Sequence, residues 1–205
     1  IVYFGTEAQK ERWLPKLVSG ELVSAYALSE ASSGSDALGA RTKAVLSPDG
    51  SQWILDGSKQ WITNAAIADL FVVFAKIDGE RFSAFAVERG TPGFSVGREE
   101  RKMGLRGSDT GELVFKDCRV PRESLVGNEG DGMNIALKTI SEVGRAGMAA
   151  TALGILQACY EEAVKFAKDR VLYGRPIAQL QAIQWHIADI YAQLEAARLL
   201  CYRAS

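Results

Sequence analysis

Three regimes of apolar and polar spacing follow one another along the chain. In the first, Thr6-Glu7-Ala8-Gln9 sets a hydroxyl three residues before an amide. That spacing fits a capping box and predicts a helix start. The helix is expected to break near Pro15, and Gly20 closes the segment. Residues 1–21 read as the tail of a helical region. From 22 to 126 the spacing changes to short strands. Arg41–Leu46 and Ser51–Leu55 flank the turn Ser47-Pro48-Asp49-Gly50, and Asp56-Gly57 turns the chain into Ser58–Thr63. Phe71–Ile77 and Arg81–Val87 flank Asp78-Gly79-Glu80 as a hairpin. Thr91-Pro92-Gly93 and Val120-Pro121 punctuate the remainder. From 127 to 205 strand signals vanish. Leu137, Ile140, Thr151, Ile155 and Phe166 recur at helical intervals between Asn134 and Arg170, and Ile183, Ile187, Ile190 and Leu194 mark a second helix. The predicted class is α+β: an antiparallel β sandwich or barrel flanked by α-helical segments, with two long helices of an incomplete four-helix bundle.

Composition narrows the chemistry. The 205 residues are 47% hydrophobic, enough for one or two cores, and 24 basic against 25 acidic residues leave a formal net charge of −1. That balance gives no footprint for nucleic acid or a polybasic membrane contact. No apolar run approaches the roughly 20 residues of a membrane span. Cys118, Cys159 and Cys201 match neither a metal-ligand spacing nor a disulfide framework, and are expected as buried thiols in a reducing compartment. The single histidine, His186, sits in an amphipathic helix, so a Ser–His–Asp or Cys–His system and a transition-metal site are both disfavoured. The chemistry therefore points to an organic cofactor.

Four clusters are candidates for holding one. Tyr26–Ser29 reads as a strand end, and the run through Gly34, Ser35 and Asp36 offers hydroxyls and N–H groups that can curl around an anion, Gly34 being free to take positive φ; an ordinary Ser-rich loop is the alternative. In Lys59-Gln60-Trp61-Ile62-Thr63-Asn64, Trp61 and Thr63 share a strand face, which suits a flat heteroaromatic ring with a polar edge, or else Trp61 belongs to the sandwich core. Glu142-Val143-Gly144-Arg145-Ala146-Gly147 places two glycines inside a helix at ~1 kcal/mol each, so a neighbouring helix or a ligand needs the space; Arg145 could bind a phosphate or carbonyl. Arg170 and Tyr173, with Gln181 shortly after, form a basic, aromatic inter-helix loop that either closes over an anionic cofactor or caps two helices. Glu99-Glu100-Arg101-Lys102 reads as a solvated face.

The order and spacing of Gly5–Pro15, Tyr26–Asp36, Lys59–Asn64, Met103–Phe115, Val143–Gly154, and Arg170–Gly174 with Leu180–Ile183 resemble the acyl-CoA dehydrogenase family over nearly the whole chain. The resemblance implies an N-terminal helical domain, of which 1–21 would be the end, a middle β domain at 22–126, and a helical bundle begun by 127–205, with FAD between them. It implies that Tyr26, Ala27, Leu28 and Ser29 line the flavin. Gly34 and Ser35 would reach its ribityl–pyrophosphate region, and Ser35 the acyl-CoA too. Trp61, Ile62 and Thr63 would pack on the ring and hydrogen-bond near N5. Arg170, Tyr173 and Gln181 would cross a subunit interface of a homo-oligomer to hold a partner's FAD. Glu142, Val143, Gly144 and Arg145 would lie beside the CoA thioester.

The implied reaction is desaturation of an acyl-CoA to a trans-2-enoyl-CoA, with electrons leaving through an electron-transfer flavoprotein. Some members carry the base where this chain has Gly144, and the more usual glutamate is expected beyond Ser205. Glu142 does not replace it, because two residues of α-helix turn it ~200° away. An acyl-CoA oxidase or flavin monooxygenase on the same scaffold, or a non-catalytic flavin module, remains as an alternative. The compartment implied is the cytoplasm of a bacterium or the mitochondrial matrix of a eukaryote. Opening on Ile1 and closing within a helix pattern, the chain is expected to be a piece of a longer polypeptide. Alone it should bind FAD weakly and aggregate through uncovered helix faces.

Overall fold

A computed structural model describes residues 1–204. The backbone forms two compact units, Ile1–Leu137 and Lys138–Ser205. The first opens with α1 (Glu7–Ser19), which has the expected capping box: the Gln9 N–H donates to Thr6 Oγ1 at 3.2 Å and the Thr6 N–H to Gln9 Oε1 at 3.0 Å. Gly20 ends it in the left-handed region, at φ +77°. Pro15 does not break the helix as expected. It lies on the exposed face, where the carbonyl it leaves without a donor can be hydrated. Buried Gln9 also donates to the carbonyls of Glu123 (2.7 Å) and Leu125 (2.9 Å), so residues 1–21 are seated on the β region.

The β region is one open sheet of β1 (Ser24–Ala27), β2 (Lys43–Leu46), β3 (Gln52–Thr63), β4 (Leu70–Ile77), β5 (Arg81–Glu88), β6 (Phe94–Glu99), β7 (Thr110–Pro121) and β8 (Leu125–Val126). Its order is β6-β7-β3-β2-β4-β5-β8, with β1 attached to β4. Both expected hairpins are present: β2 pairs antiparallel with β3, and β4 with β5. The sheet is not antiparallel throughout, since β1 and β2 each run parallel to β4. It also folds over itself. Trp53 on β3 and Phe85 on β5 are three strand steps apart, ~14 Å across a flat sheet at ~4.8 Å per step; their rings meet at 5.6 Å. Phe71 on β4 and Phe94 on β6 are four steps apart and meet at 4.7 Å. The core lies in this fold, sandwich-like as expected, around Trp53, Leu55, Phe71, Phe85, Leu113 and Phe115.

Asp56-Gly57 is not a turn. β3 runs straight through it, and a β-bulge absorbs the irregularity against β7. Gly57 sits at φ +147°, and a Cβ there would fall 2.8 Å from the Thr42 Cα. A second bulge, between Lys59 and Ile62, shifts the register again. After β8 the chain becomes helical: α2 (Gly132–Thr139) buries Ile135 and Ala136, so the first unit runs past the 126/127 boundary read from the sequence.

The second unit holds a π-helical turn over Ile140–Gly144, α3 (Arg145–Asp169) and α4 (Gln181–Ala204). The π turn interrupts what the spacing predicts as one α-helix; Gly144 and Gly147 weaken α-helical preference there. The link between α3 and α4 is a small hairpin, β9 (Val171–Leu172) and β10 (Arg175–Pro176), turned by Tyr173 at φ +53° and Gly174 at φ +74°. Tyr160 and Tyr191 meet at 5.4 Å between the helices, and Arg198 donates to Gln157 Oε1 at 2.5 Å. Only Ala167, Leu194 and Cys201 are buried in these two helices, while Ile155, Phe166, Trp185, Leu199 and Leu200 are exposed. Of the thiols, Cys118 and Cys201 are buried as expected, and Cys159 is exposed against expectation.

Gly57→Ala is expected to cost at least ~1–3 kcal/mol, because the methyl meets backbone and cannot be accommodated by a rotamer change. Urea denaturation reads the loss; an unchanged midpoint would contradict the packing described.

Candidate functional site

The family resemblance implies that Tyr26–Ser29 and Trp61–Thr63 flank one ligand, and the structure sets the two segments side by side. The Gln60 N–H donates to the Ser29 carbonyl at 2.9 Å, and Asn64 Nδ2 to the Ser24 carbonyl at 3.3 Å. Beneath them lies a buried charge pair. Lys59, with no exposed surface, donates from Nζ to Glu30 Oε1 at 2.8 Å and to the Leu28 carbonyl at 3.2 Å. Glu30 also accepts from the Arg41 N–H (2.6 Å), the Thr42 N–H (3.0 Å) and the Thr42 hydroxyl (2.6 Å).

This arrangement satisfies a carboxylate that would otherwise be costly to bury. Burial pushes the Glu30 carboxyl up, but Lys59, the Thr42 hydroxyl and the Arg41 N–H outweigh it and leave it below its ordinary value. Burial lowers the Lys59 ammonium, against the pull of Glu30. The spacing along the sequence did not reveal this pair. Its signal was present, since Lys59 interrupts a strand and Glu30 follows an apolar one, yet neither charge announces a buried partner.

Each expected site residue has a definite place. Ala27 and Leu28 are buried, so their side chains serve the core and only their backbone is left for a ligand. Tyr26 is half-buried, its ring edge-on to Phe74 at 5.1 Å and its hydroxyl 3.5 Å from the Ala136 carbonyl; burial pushes its pKa up to about 12. The Ser29 N–H donates to no acceptor among the described residues. Ile62 is 2% exposed, which points its side chain into the core, opposite to Trp61 and Thr63.

Trp61 and Thr63 both face outward. A strict two-residue alternation from Trp53 would put Trp61 in the core; the bulge before Ile62 reverses the faces. Trp61 is 59% exposed and held at φ +63°, an unfavourable backbone for a bulky side chain. An exposed indole kept in a strained bulge is a feature that core packing does not explain.

Gly34 does not take positive φ, contrary to expectation; it lies with Ser35 on an exposed bend just beyond the turn that paired bonds between Glu30 and Ser33 close. Glu100 is not merely solvated, since it accepts from Gln60 Nε2 at 2.7 Å beside the bulge. Asp109 accepts from the Ala66 N–H at 2.6 Å and holds the turn after Thr63.

In the second unit, Glu142, Val143 and Gly144 fall in the π turn and Arg145 begins α3. Glu142 is paired with Lys138. Arg170 and Tyr173 lie past the far end of α3, and Gln181 begins α4; Tyr173 is 93% exposed. At 1.5 Å per residue, the 25 residues of α3 separate Arg145 from Arg170 by ~37 Å. One unit therefore cannot bring both sets to one small ligand. Among the described residues no cluster of His, Cys, Asp or Glu could hold a metal, and no helix is long and apolar enough to cross a membrane.

Comparison with known proteins places these features in company. Models of the N-terminal, middle and C-terminal domains of acyl-CoA dehydrogenases match residues 1–21, 25–118 and 130–205. An acyl-CoA dehydrogenase of Bacillus subtilis is 48% identical over the whole chain, which covers 54% of that protein. The butyryl-CoA dehydrogenase of Megasphaera elsdenii superposes with a TM-score of 0.92 at 46% identity, over 98% of this chain and 53% of its own. An acyl-CoA dehydrogenase of Bacillus anthracis, solved with FAD, gives 0.91 at 45% identity, over 98% of this chain and 34% of its own. The chain thus spans about half the length of the first two.

The pH profile follows from Glu30. Its folded pKa lies below the ordinary 4.5, so its contribution is complete above that value and is lost as pH falls through the folded pKa. Stability measured by urea at stepped pH should decline on the acid side of 4.5, and Glu30→Gln should flatten part of that decline. An identical acid slope in the variant would contradict the pairing.

Proposed function

Because the chain belongs to the acyl-CoA dehydrogenase family, we propose that it supplies the flavin-holding core of an enzyme that desaturates a short-chain acyl-CoA to a trans-2-enoyl-CoA. The observation that carries this reading is the strained, outward-facing Trp61 beside the Thr63 hydroxyl and the unused Ser29 N–H: an aromatic platform with two hydrogen-bonding groups at its rim. Those residue types fit a planar isoalloxazine, which offers a flat face to an indole and carbonyl and nitrogen acceptors along one edge. FAD, when bound, supplies the hydride acceptor. The protein's part is to present a rigid wall, aim donors at the ring and keep water from it.

Ser35, on its exposed turn, would serve the phosphate-bearing tail and the CoA. Ile62 and the Ala27–Leu28 pair would contribute backbone. The π turn bearing Glu142–Arg145 would lie along the thioester. Glu142 is engaged by Lys138 and Gly144 has no side chain, so the α-proton would be taken by a carboxylate outside this chain. The length of α3 supports assigning Arg170, Tyr173 and Gln181 to the FAD of a second subunit in a homo-oligomer. An electron-transfer flavoprotein is the proposed acceptor; one similar structure is named for the electron transferring flavoprotein of Acidaminococcus fermentans. Relatives named short-chain specific, from Megasphaera elsdenii and human mitochondria, support the substrate class. The compartment would follow the source: cytoplasm in a bacterium, mitochondrial matrix in a eukaryote.

Anaerobic addition of butyryl-CoA to the full-length protein should bleach the oxidised-flavin band, with slow recovery in air. Rapid reoxidation by oxygen would sink the dehydrogenase reading in favour of an oxidase. Trp61→Ala should lower the flavin-to-protein absorbance ratio while changing unfolding stability by no more than ~0.5 kcal/mol, as befits an exposed side chain. An unchanged ratio counts against the platform. Arg170→Ala should weaken flavin retention in the assembled oligomer; normal retention together with normal assembly would rule out the cross-subunit role.

A further inference from the structure

The Tyr26–Ser29 and Trp61–Thr63 segments are not ladder neighbours. β1 pairs with β4, whereas β3 pairs with β2 and β7. The two segments are joined by the Gln60 N–H on the Ser29 carbonyl, and by Lys59 Nζ on the Leu28 carbonyl and on Glu30. Resting on the flavin reading above, we propose that Lys59, paired with Glu30, is a positioning residue for the flavin: it fixes and polarises the Leu28–Ser29 peptide so that the Ser29 N–H is a strong, pre-aimed donor to the ring's polar edge.

The physical ground is the peptide unit itself. The Leu28 carbonyl and the Ser29 N–H share one delocalised amide. A cationic donor on the oxygen draws electron density from the nitrogen and strengthens the N–H as a donor. The Ser29 carbonyl is pinned separately by Gln60, so both peptide planes flanking Ser29 are set. Lys59 is wholly buried, which leaves its charge poorly screened by water. Glu30 in turn is anchored by Arg41 and Thr42, so the cation cannot swing away from Leu28. A donor of this kind, with a cation behind it, favours the more electron-rich reduced ring over the oxidised one.

The test compares full-length protein loaded with FAD, using the neutral replacement Glu30→Gln/Lys59→Met and the milder Thr42→Val, which removes one of the bonds holding Glu30. Midpoint potential, FAD dissociation constant and thermal unfolding are read in parallel. The neutral pair should reduce the preference for reduced flavin about tenfold, equivalent to about 30 mV more negative for a two-electron couple. Thr42→Val should shift the same way by less. If the double variant does not fold, Thr42→Val decides. A folded, FAD-loaded variant that unfolds more easily yet keeps the wild-type potential would show that the pair only staples the core, and would overturn the inference while leaving the flavin reading intact. Wild-type protein that holds no FAD would overturn both.

Discussion

Everything the candidate site does depends on the ion pair between Lys59 and Glu30. Two charged side chains lie where the sheet is otherwise apolar, and each is tolerated only because the other, with Thr42, Arg41 and Leu28, completes its hydrogen bonds. Removing one partner of such a pair typically costs ~3–5 kcal/mol, because the other is left charged and dry. Together with the Gln60 N–H on the Ser29 carbonyl, the pair ties the Tyr26–Asp36 segment to β3 where no strand ladder joins them. Gly57 belongs to the same device: the absence of a side chain there lets Thr42 come close enough to serve Glu30.

From that anchor the strand is distorted in a useful way. Immediately beyond Lys59, β3 bulges, Trp61 turns outward at positive φ, and Ile62 returns to the core. The buried pair on one side and buried Ile62 on the other hold Trp61 in a backbone state it would not choose, and the indole is presented to solvent or to a ligand. Strain of order 1–3 kcal/mol is sustained because its surroundings leave no alternative. The helical unit contributes differently. Its α3 is long enough to keep Arg145 and Arg170 ~37 Å apart, too far for its two ends to meet on one small ligand.

Much of this was legible in the residues. The capping box at Thr6 and Gln9, the Ser47–Gly50 and Asp78–Glu80 hairpins, and the helix marked by Ile183, Ile187, Ile190 and Leu194 all follow from local rules that involve neighbours in sequence. The misses share a cause in contacts the local sequence does not contain. Pro15 is tolerated because its helix face is exposed, and Asp56-Gly57 stays within a strand because β7 runs alongside and takes up the register shift. The parallel pairing of β1 and β2 with β4 depends on the order of strands in space. In the site, the residues show that Trp61 and Thr63 share a face but leave open whether it is the core face; the bulge that turns both outward depends on β7. The Lys59–Glu30 pair went unread because burial is a property of the fold and not of either residue. Gly34 is free to take positive φ but does not use that freedom.

The most direct test of the central claim is hydrogen–deuterium exchange on the full-length protein with FAD removed and then restored. Peptides covering Tyr26–Ser35 and Lys59–Asn64 should gain protection together on FAD addition. Protection confined to other segments, with both of these exchanging as before, would contradict the account.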